Sequence, residues 1–74
     1  MEYTVIIQPA EEGGFWVEIP ALPGCFSQGE TIEEAIENSK EAIEAHILAL
    51  KEEHEPVPSE KNFLFGKVSV EIIA

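Results

Sequence analysis

The sequence contains neither aspartate nor arginine: all 15 of its acids are glutamates and all four of its bases are lysines. A formal net charge of -11 repels phosphate backbones, because nucleic-acid affinity depends largely on the counterions released when lysine and arginine neutralise phosphates. Direct nucleic-acid binding is therefore not expected. The lack of aspartate also bears on catalysis, since two-metal nuclease chemistry needs several carboxylates converging on ions about 4 Å apart. Only Glu2, at the margin of the first strand, and Glu18, without an obvious cluster of neighbours, stand near the sheet. There is one cysteine, Cys25, so no disulfide can form within the chain and a stapled secreted scaffold is excluded. No apolar run approaches the roughly 20 residues of a spanning helix, and the opening Met-Glu-Tyr-Thr lacks the charged and apolar regions of an export signal. A cytoplasmic location without a membrane role is the expectation.

What the chain does have is enough apolar content to fold. Hydrophobic residues make up 45% of 74 residues, with mean hydropathy near zero, which suits one small globular domain over residues 1–74. Tyr3 to Gln8 is β-branched and aromatic on both alternating faces and predicts a central strand. Pro9 to Gly14 reads as a hairpin loop. Phe15 to Ile19 then predicts a second strand, with Phe15, Val17 and Ile19 on one face and Trp16 and Glu18 on the other. After the turn-rich Pro20-Ala21-Leu22-Pro23-Gly24, a short third strand spans Cys25 to Gln28.

Gly29 ends that strand, and Thr31-Ile32-Glu33-Glu34 fits a capping box, in which the Thr31 hydroxyl accepts from the Glu34 amide while the Glu34 carboxylate reaches back. One amphipathic helix to about Glu53 follows. At 100° per residue, Ile32, Ala35, Ile36, Ala42, Ile43, Ile47 and Leu50 share a face, and Glu30, Glu33, Glu34, Glu37, Glu41 and Glu44 line the opposite one. Glu33/Glu37 and Glu37/Glu41 repel at i,i+4, so this acidic face is not optimised for helix stability. Pro56 and Pro58 close the helix before an extended connection of roughly ten residues. Gly66 to Ile73 alternates Val68, Val70 and Ile72 with Ser69, Glu71 and Ile73, which predicts a fourth strand.

These elements assemble economically as an α+β fold, a two-layer β-β-β-α-β sandwich in which one sheet face covers the apolar helix face. A right-handed crossover placing strand four parallel to strand one gives the sheet order 3-2-1-4. The other sheet face then carries exposed apolar groups such as Trp16 with Ile6 or Ile73, and so predicts a homo-oligomer or a protein partner.

The run from Ile19 to Thr31, IPALPGCFSQGET, followed by Glu33-Glu34-Ala35, resembles the signature of HicB-type antitoxins. Glu12-Gly13-Gly14-Phe15 before it and Pro56-Val57-Pro58 after the acidic helix are similar to that family's setting, so the resemblance covers essentially the whole chain. It implies a partial ribonuclease-H-like fold and a non-enzymatic role: binding and masking a small basic RNA-cleaving toxin of the HicA type. Many relatives add a C-terminal DNA-binding segment where this sequence stops at Ala74, which puts operator binding in doubt. Relatives often carry glycine near the helix end, where this sequence has His54; histidine tolerates the left-handed region better than most residues.

The partner-binding candidates are Trp16 on the uncovered sheet face and the acidic Glu30, Glu33, Glu34, Glu37 and Glu41. No catalytic, cofactor-binding or metal-binding residue is assigned. His46 and His54 lie eight residues apart along one helix, too far to share a metal, and Cys25 has no neighbouring His or Lys to activate it, reading instead as a small buried hydrophobe. The alternative reading is a stand-alone homo-oligomer with a structural or small-ligand-binding role.

Overall fold

The computed structural model describes residues 1–60 and 64–73; residues 61–63, part of the connection expected after the helix, and Ala74 lie outside that description. The described chain forms β1 (Ile6–Pro9), β2 (Phe15–Glu18), β3 (Phe26–Gly29) and α1 (Ile32–Glu52). The strands pair antiparallel in the order β1-β2-β3. Register places Ile6 opposite Glu18 and Glu18 opposite Phe26, with Gln8, Trp16 and Gln28 forming the next row. Side chains alternate along a strand, so these six share the outer face, while Ile7, Val17 and Ser27 point toward the helix. Val17, Ile19, Leu22, Cys25 and Ala35 are the buried core, with Tyr3, Val5, Ile7, Phe15, Ala42, Ile43 and Ile47 packed around them.

The α+β class and the three antiparallel strands agree with the sequence reading; the fourth strand does not. Gly66 to Ile73 joins no sheet, and Val68, Val70 and Ile72 are 87%, 77% and 87% exposed. The order 3-2-1-4 therefore gives way to β1-β2-β3 among the described residues, and a partial ribonuclease-H-like sheet completed by strand four is not formed. Alternation shows that a segment suits a sheet; it does not say which edge will accept it. The chain does return toward β1 after the helix. Tyr3 Oη donates to the Pro58 carbonyl at 2.6 Å, Thr4 Oγ1 donates to Glu60 Oε2 at 2.8 Å, and the Thr4 amide donates to the same carboxylate.

Helix α1 begins as its sequence predicts. The Glu34 amide donates to Thr31 Oγ1 at 3.0 Å, although the Glu34 carboxylate accepts from the Glu30 amide, at 3.3 Å, rather than from Thr31. At the other end His54 adopts the left-handed conformation, φ 58°, and its amide donates to the Lys51 carbonyl while that of Glu55 donates to Leu50. This pair of bonds is the Schellman arrangement that satisfies otherwise orphaned carbonyls. A side chain at such a position carries a backbone penalty that glycine lacks. We expect His54→Gly to stabilise the domain by up to about 1 kcal/mol, raising the thermal midpoint by about 5 °C. A lowered midpoint in a calorimetric scan would mean that His54 holds contacts outweighing its strain.

The helix face against the sheet is the expected one at Ala35, Ala42, Ile43 and Ile47, which belong to the core or pack on it, but differs in its first turns. Ala35 and Ser39 are its buried residues, whereas Ile32 and Ile36 are 49% and 46% exposed. Small residues face the sheet because the backbones meet closely there: a Cβ built on Gly29 would lie 2.7 Å from the Ala35 Cα. Ser39 is accommodated because its hydroxyl donates to the Ile36 carbonyl at 2.6 Å.

Candidate functional site

The signature turn feeds the core rather than a reactive group: Leu22 and Cys25 are buried on either side of the exposed Pro23 and Gly24. Leu22 donates its amide to the Ile19 carbonyl and Cys25 donates to that of Leu22, each at 3.0 Å, so two tight turns fold residues 19–25 back on themselves. Gly24, at φ 84°, supplies the left-handed step. The result drives the Leu22 side chain into the core, where it is fully buried. Cys25 is buried beside it, and burial pushes its thiol above the ordinary value, which keeps it protonated and poorly nucleophilic.

These turns aim β3 at the start of α1. Gly29 and Gly14 make the meeting point possible, since a Cβ on Gly14 would lie 2.9 Å from the Gly29 carbonyl oxygen, just as one on Gly29 would strike Ala35. Where the sheet end and the first helical turns converge, a recess of about 240 Å³ opens, lined by Trp16, Gln28, Glu30, Glu34 and Asn38 among others. Asn38 Nδ2 donates to the Gln28 carbonyl at 2.8 Å and braces one wall. A neighbouring shallow depression of about 320 Å³ shares Phe15 and Glu30 and adds Glu33.

Of the six residues singled out from the sequence, Trp16, Glu30 and Glu34 thus meet around one recess, and Glu33 adjoins it. Glu37 and Glu41 are exposed further along the same helix face, one turn apart, and do not line it. The strand pattern placed Trp16 on the outer face but missed Phe26, whose ring centroid lies 6.4 Å from that of Trp16 and which is 55% exposed. Phe26 sits two residues before Gln28 in a short strand, so the alternation that could reveal it is brief. Asn38 was legible in principle, because it follows Glu34 by four residues and shares its side of the helix.

The arrangement suits recognition. Carboxylates at a recess beside the half-buried Trp16 and the exposed Phe26 can hold cationic side chains and bury apolar ones. No group of three His, Cys, Asp or Glu side chains among the described residues is placed to hold a metal ion. No helix among them is long and apolar enough to cross a membrane. Against this geometry, the family model described as HicB_like antitoxin of bacterial toxin-antitoxin system matches residues 3–66. The chain belongs to the HicB-like antitoxin family.

Individual relatives agree. A UPF0150 protein of Thermoplasma acidophilum is 55% identical over 58 residues, covering 78% of this chain and 84% of that protein. A UPF0150 protein of Synechocystis is 52% identical over 58 residues, 78% of this chain and 73% of that one. Antitoxin HicB 1 of Photorhabdus laumondii is 38% identical over 58 residues, which are 78% of this chain but 37% of that protein. Among solved structures, a chain of a HicA3 and HicB3 toxin-antitoxin complex superposes with a TM-score of 0.70 at 36% identity, covering 82% of this chain and 70% of that chain. In this HicB-like chain the family match ends at Gly66, where the exposed alternating segment begins.

Proposed function

We propose that this HicB-like chain is a cytoplasmic antitoxin that binds and masks a small basic RNA-cleaving toxin of the HicA type, acting by docking and not by catalysis. The observation that carries the reading is the recess where Trp16, Glu30 and Glu34 converge beside Glu33, at the foot of a helix whose exposed face continues through Glu37 and Glu41. Likeness to a chain of a toxin-antitoxin complex supports it. A formal charge of -11 steers a basic partner toward this surface and disfavours competing contact with nucleic acid. In this reading Trp16 and Phe26 supply apolar contact, Glu30 and Glu34 engage cationic side chains at the recess, and Glu33, Glu37 and Glu41 accelerate encounter.

The charge contribution can be separated from the rest. Reversing Glu33, Glu37 and Glu41 to lysine changes exposed residues only, so the helical circular dichroism should persist. Stopped-flow association with a basic HicA-type toxin should slow by about tenfold or more in low salt, and the difference should shrink as salt rises. An on-rate unaffected by the reversal would remove the electrostatic part of the proposal, and failure of such a toxin to co-purify on co-expression would remove the proposal itself.

A further inference from the structure

Two features outside the recess have no strand partner among the described residues and are chemically matched: the outer edge of β1 and the segment 64–73. Just beyond the strand ends, the Ala10 amide donates to the Gly14 carbonyl and the Ile19 amide to that of Cys25. Carried along the antiparallel ladders, this alternation turns the backbone groups of Ile6 and Gln8 toward β2 and those of Val5 and Ile7 away from it. Val5 and Ile7 find no partner for those groups in the turn and loop bonds among the described residues. Beside this edge the helix lies over β3 and β2, leaving a mainly apolar groove of about 500 Å³ lined by Tyr3, Val5, Ile36, Ile43 and Ile47, with Lys40 and Glu44 also on its wall. The groove occupies the flank of α1 opposite to Glu34 and Asn38, as 100° per residue requires.

The segment has what the groove lacks. Val68, Val70 and Ile72 form one apolar row, and Leu64 and Phe65 before them are 97% and 73% exposed. Charge agrees: residues 1–60 hold two lysines and 14 glutamates, a net -12, whereas residues 61–74 hold two lysines and one glutamate, a net +1. Nor does the segment fold against its own body. The radius of gyration is 15.1 Å, against about 11 Å for a compact chain of this length. Connectivity favours another copy as the acceptor. Pro58 and Glu60 are bonded to Tyr3 and Thr4, just before the four-residue β1, whereas Val68 follows Glu60 by eight positions. The apolar row would begin only after β1 had ended.

We propose that residues 66–73 of one copy add as a fourth strand to the β1 edge of a second copy, laying Val68, Val70 and Ile72 over its groove, with reciprocal exchange forming a two-fold dimer. Closed exchange of this kind pairs both edges and leaves none open. It does not depend on toxin masking. Sedimentation equilibrium of the full chain at micromolar concentration should return twice its 8.2 kDa mass. Val70→Glu, at a position exposed within one chain, should keep the helical signal yet weaken dimerisation by about a hundredfold or more, because a carboxylate would enter an apolar groove. In dimers refolded from equal amounts of isotope-labelled and unlabelled chains, filtered NMR should detect contacts between residues 68–72 of one chain and Val5, Ile43 or Ile47 of the other. A monomeric chain, a dimer untouched by Val70→Glu, contacts confined to one chain, or a segment protected only when a basic toxin is added would each overturn the exchange.

Discussion

Leu22→Ala should lower the unfolding free energy by about 3 kcal/mol, the middle of the range for buried leucines, and the thermal midpoint by about 15 °C. A domain of this size holds roughly 4 to 11 kcal/mol in total, so one side chain would remove a large share. Leu22 carries the full cost because it is one of five buried hydrophobic residues among the described ones and hangs from a doubly turned loop that the cavity cannot easily draw inward. The effect should extend to binding. The same turns aim β3, so Phe26 and Gln28 would lose their positions beside Trp16, and toxin affinity should fall with stability. Urea unfolding followed at the helical band, with an unchanged slope, measures the first part. A loss below about 1 kcal/mol would remove Leu22 from the core that organises the signature.

Gly29→Ala should be comparably damaging for a different reason. The added Cβ would sit 2.7 Å from the Ala35 Cα and 2.8 Å from the Glu34 carbonyl carbon, and these are backbone atoms that no rotamer change can withdraw. The first turn of α1 must lift from the sheet, at a cost of about 3 kcal/mol. Because Glu30 and Glu34 travel with that turn, the recess would open and partner affinity would fall beyond what the stability loss explains. Gly13→Ala is the control: Gly13 has φ 104° but nothing within 4 Å of its Cβ, so its substitution carries backbone strain without a clash. Equal losses at the two positions, or an unaltered partner affinity in the Gly29 variant, would contradict the close-approach account.

Both residues stand in the signature stretch, and the sequence reading understood them unevenly. Gly29 was recognised as the end of a strand, and its contact with Ala35 was not foreseen, because close approach of two backbones leaves no periodic trace. The burial of Ser39 in place of Ile32 or Ile36 has the same origin. Helical periodicity locates an apolar stripe to within a residue or so, but the sheet surface decides which part of the stripe is covered. Where the backbones come closest, a small residue packs and an isoleucine is displaced to the flank.

Local grammar was sufficient elsewhere. Thr31 with Glu34 announced the helix start, Pro56 and Pro58 its end, and the glycine pair at 13 and 14 the first hairpin, since each depends on hydrogen bonds or backbone angles spanning only a few residues. Alternation likewise located β1, β2 and β3 to within a few residues, because hairpin-linked strands find their neighbours next in sequence. The family resemblance rested on that same local stretch and was upheld by the family match.

By itself, then, the sequence determined the order of three strands and a capped acidic helix, the excess of glutamate over lysine, and membership of the HicB-like family. Tertiary structure alone decided that Trp16, Glu30 and Glu34 meet, that Leu22 fills the core, that Gly29 seats the helix, and that residues 66–73 stand apart from the sheet. The division follows range. Caps and hairpins are settled by neighbours along the chain, whereas the recess and the free strand depend on surfaces brought together from distant positions, and on an edge whose partner no local pattern can name.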